Sequence, residues 1–147
     1  MGRFTGWGLA LLAVGLGTCG CPAGGKPPAP QRVVVQHLLV SFSGRLPNKV
    51  VNRSQAEAET VARDLLERAR GGEDFDALVK QYTDDQPPGL YTLVNQSRSS
   101  VAGEYGREQL VAGFGDVSFS LQVGEVGLCA FDPSRSPYGY HLIKRLE

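Results

Sequence analysis

The chain contains two histidines, His37 and His141, each set inside an apolar run near opposite ends of the sequence. His37 lies in Val33-Val34-Val35-Gln36-His37-Leu38-Leu39-Val40, and His141 lies in the run from Tyr138 to Leu146. Period-two alternation puts His37 on one strand face with Val35 and Leu39, and His141 on one face with Ile143. A buried imidazole without a partner is unfavourable, so the least costly arrangement is a hydrogen bond between the two across neighbouring strands. A structural pair is favoured over a metal site, because two ligands without a nearby third hold a metal poorly. No metal or organic cofactor is expected.

Other reactive side chains are few. Cys129, within Val126-Gly127-Leu128-Cys129-Ala130-Phe131, reads as a small buried hydrophobe rather than a reactive thiol. With Cys19 and Cys21 it makes three cysteines, from which neither a disulfide framework nor a zinc spacing can be drawn. Asp85 stands in Asp84-Asp85-Gln86-Pro87-Pro88-Gly89 and on its own reads as a solvated turn acid.

The elements that must carry these groups follow from hydrophobic spacing. Val33 to Val40 is apolar on both parities, as a central strand covered on both faces should be. Ser54-Gln55-Ala56-Glu57 has the spacing of a capping box and opens a helix. Its stripe of Ala58, Val61, Ala62, Leu65, Leu66 and Ala69 ends at Gly71-Gly72. A second helix opens near Asp74, with Phe75, Leu78, Val79 and Tyr82 on one face and Asp74 and Asp76 at its positive end. Leu90 to Val94 reads as a short strand and Asn95 to Gly106 as a polar loop. Leu110 to Leu121 reads as a short helix or turn that inserts Leu110, Phe114 and Phe119 into a core. Val126 to Phe131 and Tyr138 to Leu146 read as closing strands around a turn at 132–137. The expected order is β-α-α-β-α-β-β.

The first thirty residues stand apart: they contain many glycines and prolines and no acid. Arg3, the apolar stretch Trp7 to Leu16 and the small residues after it make residues 1–21 a signal peptide, too short for the roughly 20 residues that span a bilayer. Leu16-Gly17-Thr18-Cys19-Gly20-Cys21 is similar to a bacterial lipobox, which makes Cys19 or Cys21 the expected lipid attachment point. Simple secretion is the alternative. Residues 22–31 form a Gly/Pro-rich tether, leaving 32–147 as one domain. With 15 Lys+Arg against 15 Asp+Glu and 41% hydrophobic residues, this composition argues against an acidic disordered tail, a basic nucleic-acid module and a polytopic membrane protein.

Four segments, in order, resemble the parvulin-type peptidyl-prolyl cis-trans isomerases. Gln36-His37-Leu38-Leu39-Val40 is similar to that family's opening H-I-L-V strand. Gly72 to Asp85 is similar to G-x-D-F-x-x-L-A-x-x-Y-S-D-D/C. Leu110 to Val126 is similar to M-V-x-x-F-x-D-A-x-F-S-L-x-x-G-E-I, and Ser136 to Lys144 to T-x-F-G-Y-H-I-I-K. The sequence departs from the pattern at Gly89-Leu90-Tyr91, where many members have G-D-L-G, at Leu110 for Met and at Ala112 for Pro.

The resemblance implies an α+β fold, with a small mixed or antiparallel four-stranded sheet surrounded by helices. It implies catalytic roles for the histidine pair His37 and His141, for Asp85 beside the reacting bond and for Ser136 as the pair's hydroxyl partner. Leu110, Phe114 and Tyr138 would line a proline-ring pocket. Arg45, Lys49 and Arg53 fall in a loop that borders the active site in the family. These dispersed cations would favour an acidic residue before proline without requiring phosphate. The implied function is isomerisation of prolyl bonds in exported proteins, from a lipid-anchored position in the bacterial cell envelope. The alternative is a catalytically weak module that binds proline-containing segments. A nucleic-acid partner is not expected.

Overall fold

The computed structural model describes residues 28–147. The signal peptide, both candidate lipid-bearing cysteines and most of the tether lie outside the described residues. Among the described residues nine elements follow one another: β1 (Arg32–Val40), α1 (Gln55–Arg70), α2 (Phe75–Tyr82), β2 (Leu90–Val94), β3 (Glu104–Tyr105), a 3-10 turn (Arg107–Gln109), α3 (Ala112–Ser120), β4 (Val126–Cys129) and β5 (Tyr140–Arg145).

The strands form one five-stranded sheet in the order β3-β2-β1-β5-β4. β1 is central and antiparallel to both β2 and β5, while β3 runs parallel to β2. The expected sheet had four strands. The fifth comes from the segment expected to be a polar loop, where Glu104 pairs with Thr92 and Tyr105 with Leu93. A two-residue edge strand leaves no alternation to read, so its pairing with β2 is what defines it.

The two faces of β1 bury separate cores. Leu38, Val40 and Leu142 pack under α1 and α2 with Ala58, Ala62, Leu65, Phe75 and Leu78. Val33, Val35 and Ile143 pack under α3 with Phe114, Phe119 and Cys129. The capping box is formed: Glu57 N donates to Ser54 Oγ at 3.2 Å, and Ser54 N donates to Glu57 Oε2 at 2.7 Å. Asp74 caps α2 by accepting from Asp76 N at 3.1 Å.

α3 starts at Ala112, so Leu110 belongs to the extended chain before it. The glycines inside this helix, an unfavourable choice for propensity alone, have a packing reason at Gly113. A Cβ there would lie 2.7 Å from Cys129 Sγ and 3.1 Å from the Arg135 carbonyl oxygen. The missing side chain lets α3 settle against β4 and brings Phe114 down onto the face that carries the histidines.

Candidate active site

Register fixes where the histidines meet. Leu39 pairs with His141 and His37 with Ile143, so both imidazoles rise from adjacent strands on the α3 face. They are 4% and 5% exposed. His141 Nδ1 and His37 Nε2 are 2.8 Å apart and share a hydrogen bond, with the rings stacked at 4.9 Å between centroids. The outer nitrogens, His37 Nδ1 and His141 Nε2, have no hydrogen-bond partner.

Burial keeps both imidazoles neutral. His37 is pushed down to about 4 by desolvation. His141 is pushed down to about 3 by desolvation, reinforced by His37 and partly opposed by Asp85. One proton is therefore shared across the inner bond, and its direction follows from Asp85. The Asp85 carboxylate lies 3.9 Å from His37 Nδ1. That is too long for a hydrogen bond, and beside a neutral ring it is not an ion pair. An anion so placed favours a proton, rather than a lone pair, on the nearest nitrogen. His37 then carries its hydrogen on Nδ1, and His141 Nδ1–H donates to His37 Nε2.

Above the pair opens a cleft of about 350 Å³ lined by His37, His141, Asp85, Tyr91, Leu110, Val111, Phe114 and Tyr138, with Glu108 and Gln109 at one side. Phe114 meets both imidazoles edge-on, at 5.1 Å from His37 and 5.9 Å from His141. Tyr91 packs edge-on against His37 at 5.9 Å and Phe114 at 5.6 Å. Burial and the nearby Asp85 charge raise the Tyr91 phenol, so it stays a neutral donor. The cleft thus has an apolar aromatic wall, a neutral hydrogen-bonding end and a carboxylate beside it.

The segment carrying Asp85 is held by its neighbour. Asp84 accepts from Ser41 N at 2.9 Å, receives the Arg53 guanidinium, and donates its own amide to the Leu39 carbonyl at 2.8 Å. Its carbonyl accepts from Lys49 Nζ at 2.9 Å. Downstream, Gly89 closes the loop at φ +65°, where a Cβ would fall 2.3 Å from the His37 carbonyl oxygen. Only glycine fits there, and His37 N donates to Gly89 O at 2.8 Å.

The structure brings together His37, His141, Asp85, Leu110, Phe114 and Tyr138. It does not bring in Ser136 as a partner of the pair. Ser136 is fully buried and its hydroxyl donates to the Gly139 carbonyl at 3.1 Å, leaving both outer imidazole nitrogens unpartnered. The reciprocal backbone bonds between Asp132 and Ser136 hold it in the turn and aim the hydroxyl back at that turn. Nor do the loop cations line the cleft. Arg45 stacks over Phe42 and Phe131, at 5.0 and 4.8 Å, while Arg53 and Lys49 are engaged by Asp84. Sequence reasoning missed Tyr91, Val111, Glu108 and Gln109. Tyr91 alternates with buried Leu93 and pairs with Val35, which shares the His37 face, so period two in β2 was its one available signal.

Residues 37–147 match the Rotamase family, described as the PPIC-type PPIASE domain. The chain belongs to that family. The match to this parvulin-type peptidyl-prolyl cis-trans isomerase domain begins at His37, the first residue of the imidazole pair. Among relatives, Foldase protein PrsA 4 of Bacillus cereus is 33% identical over 98 residues, covering 67% of this chain and 31% of the relative. Chaperone SurA of Chromohalobacter salexigens is 35% identical over 113 residues, covering 75% of this chain and 21% of the relative. The chain therefore spans about a third or less of the length of these curated relatives. Two solved structures share the fold. Peptidyl-prolyl isomerase ESS1 from Candida albicans superposes with a TM-score of 0.58 at 22% identity, covering 80% of this chain and 63% of that one. The solution structure of TbPIN1 gives 0.56 at 20% identity, covering 80% and 98%.

Proposed function

We propose that the cleft grips a prolyl ring against Leu110, Phe114 and Tyr138, and turns the preceding amide beside Asp85 and the imidazole pair without making or breaking a covalent bond. The observation that carries this reading is an apolar cleft ended by two buried, neutral, mutually hydrogen-bonded histidines.

Rotation about a prolyl amide faces a barrier of roughly 18–20 kcal/mol because it breaks amide resonance. Left alone it takes tens to hundreds of seconds. The domain needs only to hold the twisted amide better than the planar one, and a preference of about 5.5 kcal/mol gives a ten-thousand-fold acceleration. In the twisted state the nitrogen becomes pyramidal and the carbonyl ketone-like, so the amide loses part of its dipole. A dry apolar cleft withdraws the water that favours the planar form. Neutral imidazoles suit that task, because charged ones would draw water in. Asp85 and the His37 Nδ1–H it orients supply fixed electrostatics beside the turning bond. Arg45, Lys49 and Arg53 act on substrate only through the loop they brace, and Ser136 acts through the turn that presents Tyr138 and the start of β5.

The clients in this reading are proline-containing segments of exported proteins. Support comes from relatives named foldase and chaperone and from the signal-peptide-like first 21 residues. Residues 1–21 direct export, Cys19 or Cys21 takes the lipid, and the tether up to residue 31 holds the domain at the membrane surface. Two acyl chains give stable anchoring where one is marginal. A mass measurement of the mature amino terminus tests this: a diacylated cysteine is expected, and an unmodified cleaved terminus removes the anchor. Exchange spectroscopy on a prolyl peptide with catalytic amounts of the chain tests the chemistry. Acceleration of cis-trans exchange is expected, whereas shifted peaks at the spontaneous rate would mark a binding module.

A further inference from the structure

The charges around the cleft are lopsided. Asp85 is more than a third exposed, and among the described residues its carboxylate pairs with no Lys or Arg: His37 beside it is neutral, and Lys49, which borders the hollow on its outer side, bonds Asp84. Glu108 also lines the cleft and is exposed, and among the described residues its carboxylate forms no ion pair. The surrounding cations are engaged elsewhere. Arg53 and Lys49 go to Asp84, while Arg107 bonds Asn95 and Asp116, and Arg135 bonds Asp116. Arg98 lies on the segment to which Glu108 is pinned through Glu108 N and Ser97 O at 2.8 Å, yet no ion pair joins Arg98 to Glu108. No Lys or Arg lines the cleft. His37, buried and with Nδ1 unpartnered among the cleft-lining groups, independently marks this as a place where a ligand's polar group is received.

We infer that this cleft prefers prolyl bonds flanked by a cationic side chain, with Asp85 and Glu108 as the carboxylates that select it. This rests on the isomerase reading and reverses the acidic preference expected from the loop cations, because those cations are engaged by Asp84, Phe42 and Phe131 and none of them lines the cleft. The partner is a basic segment of polypeptide, with a Lys or Arg beside the proline. Two rim carboxylates attract such a side chain and repel an acidic one, and since they face water the discrimination is modest and salt-sensitive.

The test uses short peptides with Lys-Pro, Ala-Pro, Glu-Pro and Pro-Lys. Catalysed exchange rates and shift-titration affinities are measured on the same samples, at low salt and at about 0.5 M salt. Lysine is expected to exceed alanine about two- to fivefold on at least one side of the proline, with glutamate below alanine. High salt should collapse the series. Glu108→Gln should bring the lysine-to-alanine ratio towards one. A preference on either side supports the inference; equal values throughout, or glutamate ahead of lysine, overturn it. If no peptide is accelerated, the isomerase reading fails separately, and the affinity order on those samples still decides the charge preference.

Discussion

Acid should weaken this domain well before its carboxylates titrate, and the imidazole pair sets the size of the effect. His37 and His141 have an ordinary value of 6.5 and are held at about 4 and about 3 in the fold. The unfolded chain therefore takes up two protons that the folded chain refuses, so stability is fully present above 6.5 and is lost as pH falls below it. Between pH 7.5 and 5 each imidazole accounts for about 2 kcal/mol, or about 4 kcal/mol for the pair. Glu57, Glu59, Glu73, Asp76 and Asp132 are all held below their ordinary values by hydrogen bonds or nearby cations. Their contributions run in the same direction but lower on the pH scale: they are present above 4.5 or 3.8 and fade only below those values, leaving the window above pH 5 to the histidines. Urea unfolding followed by circular dichroism at pH 7.5 and 5 reads the difference directly. With a slope of about 2 kcal/mol per molar, the midpoint should drop by about 2 M. His141→Asn should recover about half of that drop. Nitrogen shifts of the folded wild-type rings at pH 5 should still be those of neutral imidazole. A midpoint unchanged between the two pH values, or protonated rings at pH 5 in the folded chain, would refute the reasoning.

Three further outcomes follow from the site. Phe114→Ala should remove about 3–5 kcal/mol of stability along with turnover, because Phe114 is both core and cleft wall, whereas Leu110→Ala, only partly buried at the core's edge, should lose less stability for its loss of activity; urea midpoints and exchange rates separate the two. Asp85→Asn should lower the exchange rate and redistribute the ring protons seen in nitrogen spectra, with little change in the urea midpoint, since Asp85 has no strong bond within the fold. Ser136→Ala should cost about 1–3 kcal/mol by stranding the Gly139 carbonyl, while the ring shifts of His37 and His141 stay put; a moved histidine signal would restore Ser136 to the pair's network.

Much of this architecture was readable in the residues because it rests on local rules. The Ser54–Glu57 box, the α1 stripe and the two-faced apolarity of β1 depend on spacing alone, and each has its structural counterpart. The histidine contact was readable too, because two polar rings in apolar strands have few ways to be satisfied. What escaped depends on tertiary placement. β3 exists only through pairing with β2, and the glycine at 113 makes sense only once Cys129 is seen beneath it. The hydroxyl of Ser136 and the guanidinium of Arg53 were assigned by position in a motif, but nearer partners, the Gly139 carbonyl and Asp84, hold them. Tyr91 and Glu108 border the cleft from segments whose sequence departs from the family pattern or carries no periodicity.

The adjacent acids after α2 divide their labour. Asp84 is tied into β1, Arg53 and Lys49 by both backbone and side chain, whereas the Asp85 side chain points into the cleft with little to hold it. Replacing the first would unbutton two loops from the central strand; replacing the second would change only what the substrate meets. The fold thus sets a replaceable tip on a fixed stem, and drift at position 85 can retune the chemistry without endangering the architecture that presents it.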